Sequence, residues 1–152
     1  MSIRLPAALF FYGVLRPELA SGRMAELVAL LAGAEPGSVP GRLYAIPDAR
    51  GHYPVIVDGE AGERVHGAVM RLGPDFGWDA LAELDAFEGY DPGNPGRSDY
   101  VRRGFAATAS DDTDIAVDAY AWNRAIAPGF VAIPHGDFAR YLAESGASAL
   151  PG

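Results

Sequence analysis

The chain has 152 residues, of which 49% are hydrophobic and 21% charged, a composition that predicts one globular domain over residues 1–152 with a sizeable core. Its net charge of −8 argues against nucleic acid or an anionic membrane as a partner, because both require clustered Lys and Arg. With no Cys, the chain can form neither a disulfide nor a thiolate nucleophile, which fits a cytoplasmic protein. The N-terminal segment lacks the pattern of a secretory leader, and no segment approaches the length of a membrane span.

The first half of the chain predicts three strands and one helix. The strands are the apolar run 7–12, which Gly13 ends, and the segments 39–46 and 53–57. The helix is expected over about residues 23–31, with Gly33 ending it. Its apolar face would hold Met24, Leu27, Val28 and Leu31.

The second half predicts three more strands, a central helix from about Phe76 and a short final helix. The strands are residues 64–72, 100–109 and 115–122, and the final helix carries Phe138, Tyr141 and Leu142. Residues 91–96 are rich in Pro and Gly and predict a loop, and residues 147–152 predict a frayed tail. Many strands with two or three flanking helices indicate an α+β fold, either a small mixed β-barrel or a strongly curved sheet.

Glu88 is the most informative polar residue of the central helix. A helix turns about 100° per residue, so Glu88 lies about 20° from Leu81 and about 40° from Leu84 on the helical wheel, on an apolar face that Trp78 also joins. Gly89 is expected to end the helix, and burial at a negative helix terminus would raise the pKa of a carboxyl group. The alternative is that the helix ends earlier and Glu88 is a solvated end residue.

Two short segments resemble the signatures of a known family, the gamma-glutamylcyclotransferase-like family. Residues 10–17 read Phe-Phe-Tyr-Gly-Val-Leu-Arg-Pro, similar to its Tyr-Gly-Thr-Leu-Arg signature, and residues 84–90 read Leu-Asp-Ala-Phe-Glu-Gly-Tyr, similar to its Leu-Asp-x-aromatic-Glu-Gly signature. Residues 100–102, Tyr-Val-Arg, resemble its Tyr-x-Arg element. These motifs stand in the family's order, and the resemblance spans about residues 7–124.

The resemblance implies a small mixed β-barrel with flanking helices and a pocket for a gamma-glutamyl group at one end. Carried over to this chain, it implies that Tyr12, Gly13, Val14 and Leu15 bind substrate and that Glu88 is the catalytic acid/base. Val14 stands where Thr is common in the family, which removes a hydroxyl group. Tyr100 shares a strand face with Arg102 and is expected to line the pocket.

The implied reaction is ring closure of a gamma-glutamyl amino acid or gamma-glutamylamine to 5-oxoproline, as in glutathione metabolism, with release of an amine. Such a reaction needs a proton shuttle and hydrogen-bond donors for the carbonyl oxygen, and it requires no metal or organic cofactor. A binding or regulatory module for a gamma-glutamyl or other small anionic ligand is the alternative, which Val14 keeps open. A hydrolase in which Glu88 activates water would differ only in the nucleophile.

The other polar residues are interpreted as structural or as borders of the site. Asp85 is expected to bond loop N–H groups after the helix, and Arg102 to pair with Asp85 or another acid. Tyr120 is assigned to core packing. The three histidines lack metal-ligand spacing and are interpreted as structural or surface residues.

Overall fold

The computed structural model describes residues 5–13 and 22–149. Val14 and Leu15, two of the predicted substrate-binding residues, lie outside these ranges. The described residues form eight strands: β1 (Ala8–Phe11), β2 (Leu31–Pro40), β3 (Arg42–Ile46), β4 (Tyr53–Val57), β5 (Arg64–Leu72), β6 (Tyr100–Ala109), β7 (Asp114–Trp122) and β8 (Val131–Ile133). They also form the α-helices α1 (Gly22–Ala29), α2 (Trp78–Phe87) and α3 (Phe138–Ser145), and a short 3-10 turn at Pro95–Arg97.

Five strands close into a barrel in the order β1-β5-β2-β6-β7. The strand β1 pairs antiparallel with β5 and parallel with β7, where Leu9 lies opposite Asp118, so the barrel is mixed. The other barrel pairs are antiparallel. A small mixed barrel with three flanking helices confirms the predicted fold class.

The remaining strands form a second sheet in the order β4-β3-β8. The prediction of one strand over residues 39–46 is wrong, because Gly41 separates β2 in the barrel from β3 in this sheet. Gly41 has a positive φ of 156°, and a Cβ there would lie 3.0 Å from side-chain atoms of Ile56. The chain can therefore turn from one sheet to the other only where a side chain is absent.

The structure differs from the predictions at three further places. The first helix ends at Ala29, and Leu31 begins β2 instead of extending the helix, because residues 31–40 pair with β5. The strand β8 has no counterpart in the predictions, because its three residues carry too little alternation to stand out. The described part of the tail is not frayed, since Ala149 bridges His52 and the His52 N–H bonds the Ser148 carbonyl over 2.7 Å.

Two hydrophobic cores meet along β1, because successive strand residues point to opposite faces. Phe10 and Tyr12 join the core that links the barrel to the second sheet and α3. Leu9 and Phe11 join the core that links the barrel to α1 and α2. The strand β1 therefore contributes side chains to both hydrophobic cores.

The face of α2 packs as predicted except at its first residue. Leu81 and Leu84 are fully buried against the barrel, but Trp78 is 50% exposed. Phe76, just before the helix, is buried in that core in its place. Within the described residues, no helix is long and apolar enough to cross a membrane.

Candidate functional site

The end of α2 is a Schellman motif, which fixes the position of Glu88. Gly89 has the left-handed φ of 74°, and its N–H bonds the Ala86 carbonyl over 3.1 Å. The Tyr90 N–H reaches the Asp85 carbonyl over 2.8 Å. This pair of bonds is the one that defines the motif, so the prediction that Gly89 ends the helix is confirmed and Glu88 is the C-cap residue.

Glu88 is only partly exposed, and its carboxyl group is not that of a solvated helix end. Burial, followed by the negative charge of Asp85, raises the pKa of Glu88 from 4.5 to about 7. A carboxyl with this pKa can both accept and donate a proton near neutral pH.

Three tyrosines lie close enough to Glu88 to be affected by its charge: Tyr12, just after β1, Tyr100 of β6 and Tyr120 of β7. After burial, which is the main cause in each case, the charge of Glu88 helps to raise the pKa of Tyr12, Tyr100 and Tyr120. The predicted residues Tyr12, Glu88 and Tyr100, which are far apart in sequence, therefore lie at one end of the barrel. Tyr120, which the sequence assigned to core packing, joins them.

The hydroxyl group of Tyr12 is committed to the protein itself. It donates to the backbone carbonyl of Tyr120 and accepts from the Ile56 N–H at 3.3 Å. These bonds tie β1 to β7 and to β4. The Tyr12 hydroxyl therefore serves to anchor its ring within the protein.

Gly13 and Tyr100 converge on Pro54 at the start of β4. A Cβ at Gly13 would lie 3.2 Å from Cγ of Pro54, which is a tight contact. The Tyr100 hydroxyl donates to the Pro54 carbonyl over 2.8 Å, and its ring packs edge-to-face on Trp122 at 5.2 Å between centroids. Pro54 is part of the site that residue chemistry alone did not indicate.

Gly67 allows β1 to approach β5 closely just before the Tyr12-Gly13 turn. A Cβ at this position would lie 2.3 Å from the Phe11 carbonyl oxygen and 2.9 Å from Cα of Tyr12. A glycine inside a strand is the sequence signal that could have revealed this approach.

Asp85, on the same helix as Glu88, belongs to a charge network with residues of β6 and β7. The Asp85 carboxylate accepts bonds from Nε of Arg102 at 2.9 Å, from Nη2 of Arg102 at 3.3 Å and from the Tyr120 hydroxyl at 2.6 Å. Arg102 also donates from Nη1 to Asp118 over 2.6 Å. The predicted pairing of Arg102 with Asp85 is confirmed. The prediction that the Asp85 side chain bonds loop N–H groups is wrong, because its backbone carbonyl caps the helix while its carboxylate faces β6 and β7.

A groove of about 590 Å³ is lined by both Tyr12 and Gly13. Its walls also include Gly37 of β2, Gly67 of β5 and Thr108 of β6. Glu88 does not line it.

Of the three histidines, His66 lines the groove together with Tyr12 and Gly13. Nδ1 of His52 is 2.9 Å from the Tyr141 hydroxyl, and the backbone N–H of His66 bonds the Gly136 carbonyl over 2.8 Å. Nε2 of His135 lies 3.3 Å from Glu144. In the part of the chain that the structure describes, no group of three or more His, Asp or Glu is placed to hold a metal ion.

The family model described as "Gamma-glutamyl cyclotransferase, AIG2-like" matches residues 9–140 of the chain. The chain belongs to this family. The resemblance stated for residues 10–17 and 84–90 is thereby confirmed, as is the barrel expected from it. No curated protein matches the chain in a sequence comparison.

Solved structures share the fold of this AIG2-like chain. A protein from Arabidopsis thaliana is 25% identical, with a TM-score of 0.60 over 95% of this chain and 87% of its own. An AIG2-like protein from Mus musculus is 16% identical, with a TM-score of 0.58 over 88% of each chain. A structure titled as a gamma-glutamyl cyclotransferase is also 16% identical, with a TM-score of 0.56 over 84% of this chain and 70% of its own. At 16% identity the last two establish the fold alone.

Proposed function

We propose that this protein is a cyclotransferase that converts a gamma-glutamyl amino acid or gamma-glutamylamine to 5-oxoproline and a free amine. Glu88 carries the proposal, as a carboxyl with a pKa of about 7 at the end of the barrel, in a chain whose family is named for this reaction. A carboxyl whose pKa lies near neutrality has both protonation states available to act as a proton shuttle.

Ring closure requires Glu88 to act first as a base and then as an acid. Ionised Glu88 takes a proton from the substrate's alpha-ammonium group, and the freed nitrogen attacks the gamma-carbonyl carbon to form the new C–N bond. Collapse of the tetrahedral intermediate breaks the C–N bond to the leaving amine, which receives its proton from Glu88. The attacking nitrogen then gives up its second proton, and the released amine takes up one proton to become an ammonium ion. Two protons thus leave the attacking nitrogen, the leaving nitrogen gains two, and Glu88 ends ionised as it began.

Backbone N–H groups at the end of β1 are suited to hold the substrate's negative charge. Gly13 has no side chain to block a ligand from its backbone, and the Tyr12 ring is anchored by its own hydroxyl bonds. In the proposed complex, the family resemblance adds Val14 and Leu15 to the substrate-binding residues, and the Tyr100 ring forms a wall of the pocket. Because the attack is intramolecular, holding the substrate in a folded conformation supplies much of the acceleration.

The decisive assay is release of 5-oxoproline from a panel of gamma-glutamyl amino acids and amines. We expect Glu88→Gln to lower kcat by at least about a hundredfold, the range that loss of a general acid/base produces. Glu83→Gln is the matched control, since it makes the same change on the same helix at an exposed residue whose ion-pair partner, among the described residues, is Arg23. Full turnover by a well-folded Glu88→Gln protein would refute the mechanism.

A binding module on the same fold is the second candidate, and Val14 is the observation that favours it, because the hydroxyl of the common Thr is missing. Product analysis separates the possibilities. 5-Oxoproline supports cyclisation, free glutamate supports hydrolysis, and ligand binding without turnover supports the module.

A further inference from the structure

Asp85 is the centre of the buried charge network beside Glu88. Asp85 is only 3% exposed and accepts three hydrogen bonds, two from Arg102 and one from Tyr120. In all three bonds the partner donates and the Asp85 carboxylate accepts. Donors from two strands therefore fix the position of the Asp85 carboxylate.

The network carries a net negative charge. Arg102 supplies one positive charge and is shared by two carboxylates, Asp85 and Asp118. One of these two negative charges is therefore not compensated inside the cluster. Asp85 is the one on the helix of Glu88, three residues before it, and side chains at this separation lie on the same face, about 5–6 Å apart at Cβ.

The groups that face Glu88 from the other elements are neutral at physiological pH. Tyr12 just after β1, Tyr100 of β6 and Tyr120 of β7 all have a pKa raised above its ordinary value of 10.0, chiefly by burial. Arg102 faces Asp85 and stacks near the Tyr90 ring at 5.9 Å. Among the described residues, Asp85 is thus the charge that acts on Glu88.

We propose that Asp85, fixed by Arg102 and Tyr120, is a positioning residue whose carboxylate favours proton uptake at Glu88. The inference rests on the proposed function, because it assigns a group that tunes the proposed acid/base. Asp85 does not touch the substrate. It adds to the effect of burial, which is the larger cause, and so helps Glu88 to hold a proton for the leaving amine.

The test is an NMR titration of the Glu88 side-chain carboxyl in the wild-type protein and in Asp85→Asn. We expect the midpoint to fall by about half to one pH unit in the variant, the effect of removing one charge at this distance in a partly solvated site. Asp118→Asn is the matched control, because it removes a carboxylate from the same arginine on the adjoining strand. It should move the midpoint by less than half as much.

A second variant keeps the inference testable if Asp85→Asn does not fold. Asp85→Ser also removes the charge, in a smaller side chain that can still accept a bond from Tyr120, and it should lower the Glu88 midpoint in the same way. An unchanged Glu88 midpoint in either folded variant would overturn the inference.

Kinetics then separate this inference from the proposed function. The acidic limb of the pH dependence of kcat/KM should move with the Glu88 midpoint in Asp85→Asn. An unmoved Glu88 midpoint together with normal 5-oxoproline release overturns the role of Asp85 alone. A shifted midpoint in a protein whose turnover survives Glu88→Gln overturns the proposed function alone.

Discussion

Glu88→Gln should make the protein more stable at alkaline pH. A rise in pKa from 4.5 to about 7, at about 1.4 kcal/mol for each pH unit, means that ionised Glu88 costs the folded state about 3 kcal/mol. The folded state binds the proton more tightly than the unfolded chain, so this cost is absent below about pH 4.5. The cost grows as the pH rises from about 4.5 to about 7, and it is complete above about pH 7. Glutamine is neutral throughout and never incurs it.

The assay is urea unfolding of wild type and Glu88→Gln at a series of pH values from 4 to 9. The difference in unfolding free energy between the two proteins should rise by about 3 kcal/mol between pH 4 and pH 8. All other titrating groups are common to both chains, so the pH dependence of this difference isolates Glu88. Glu83→Gln, whose wild-type carboxylate is stabilised by Arg23, should show no such rise. A flat difference for Glu88→Gln would refute the assignment of a raised pKa to Glu88.

Two further substitutions test the geometry around the site. Gly67→Ala should lower the unfolding free energy by about 1–3 kcal/mol, because its Cβ would lie 2.3 Å from the Phe11 carbonyl oxygen and β1 would have to move. The control in the same urea assay is Gly129→Ala, whose Cβ meets nothing within 4 Å. Equal effects at the two sites would contradict the close approach of β1 to β5. Tyr100→Phe removes the 2.8 Å bond to the Pro54 carbonyl and should cost about 1 kcal/mol in stability. Because the proposed pocket wall then loses its anchor to Pro54, Tyr100→Phe should raise KM for a gamma-glutamyl substrate more than it lowers kcat. A loss confined to kcat would argue for a direct chemical role of the hydroxyl.

Local sequence patterns were sufficient for elements whose ends are set by nearby residues. The helix α2 ends where Gly89 permits a left-handed residue, and its bonds close within five positions of the chain. The strand β5 follows its alternation from residue 64 to residue 72 without correction. These features depend on backbone conformation and on side-chain periodicity, both of which can be read from a short window.

Patterns failed where the deciding partner was distant. The segment 39–46 reads as one strand because its residues are suitable throughout, yet β2 pairs with β5 while β3 pairs with β4 and β8. Trp78 has the spacing of a buried residue, but Phe76 takes the core position. In each case two local solutions were acceptable, and the packing of other elements selected one of them.

The sequence by itself determined that this chain has a carboxylate at the end of an apolar helix, and its motifs identified the family. Only the tertiary structure decided what surrounds that carboxylate. The Tyr12 hydroxyl reaches Tyr120, and the Asp85 carboxylate reaches Arg102 and Tyr120, across separations of up to 108 residues. The physical reason is that a pKa depends on burial and on charges within a few ångströms, and those neighbours are brought together by closure of the barrel, which no short window of sequence contains.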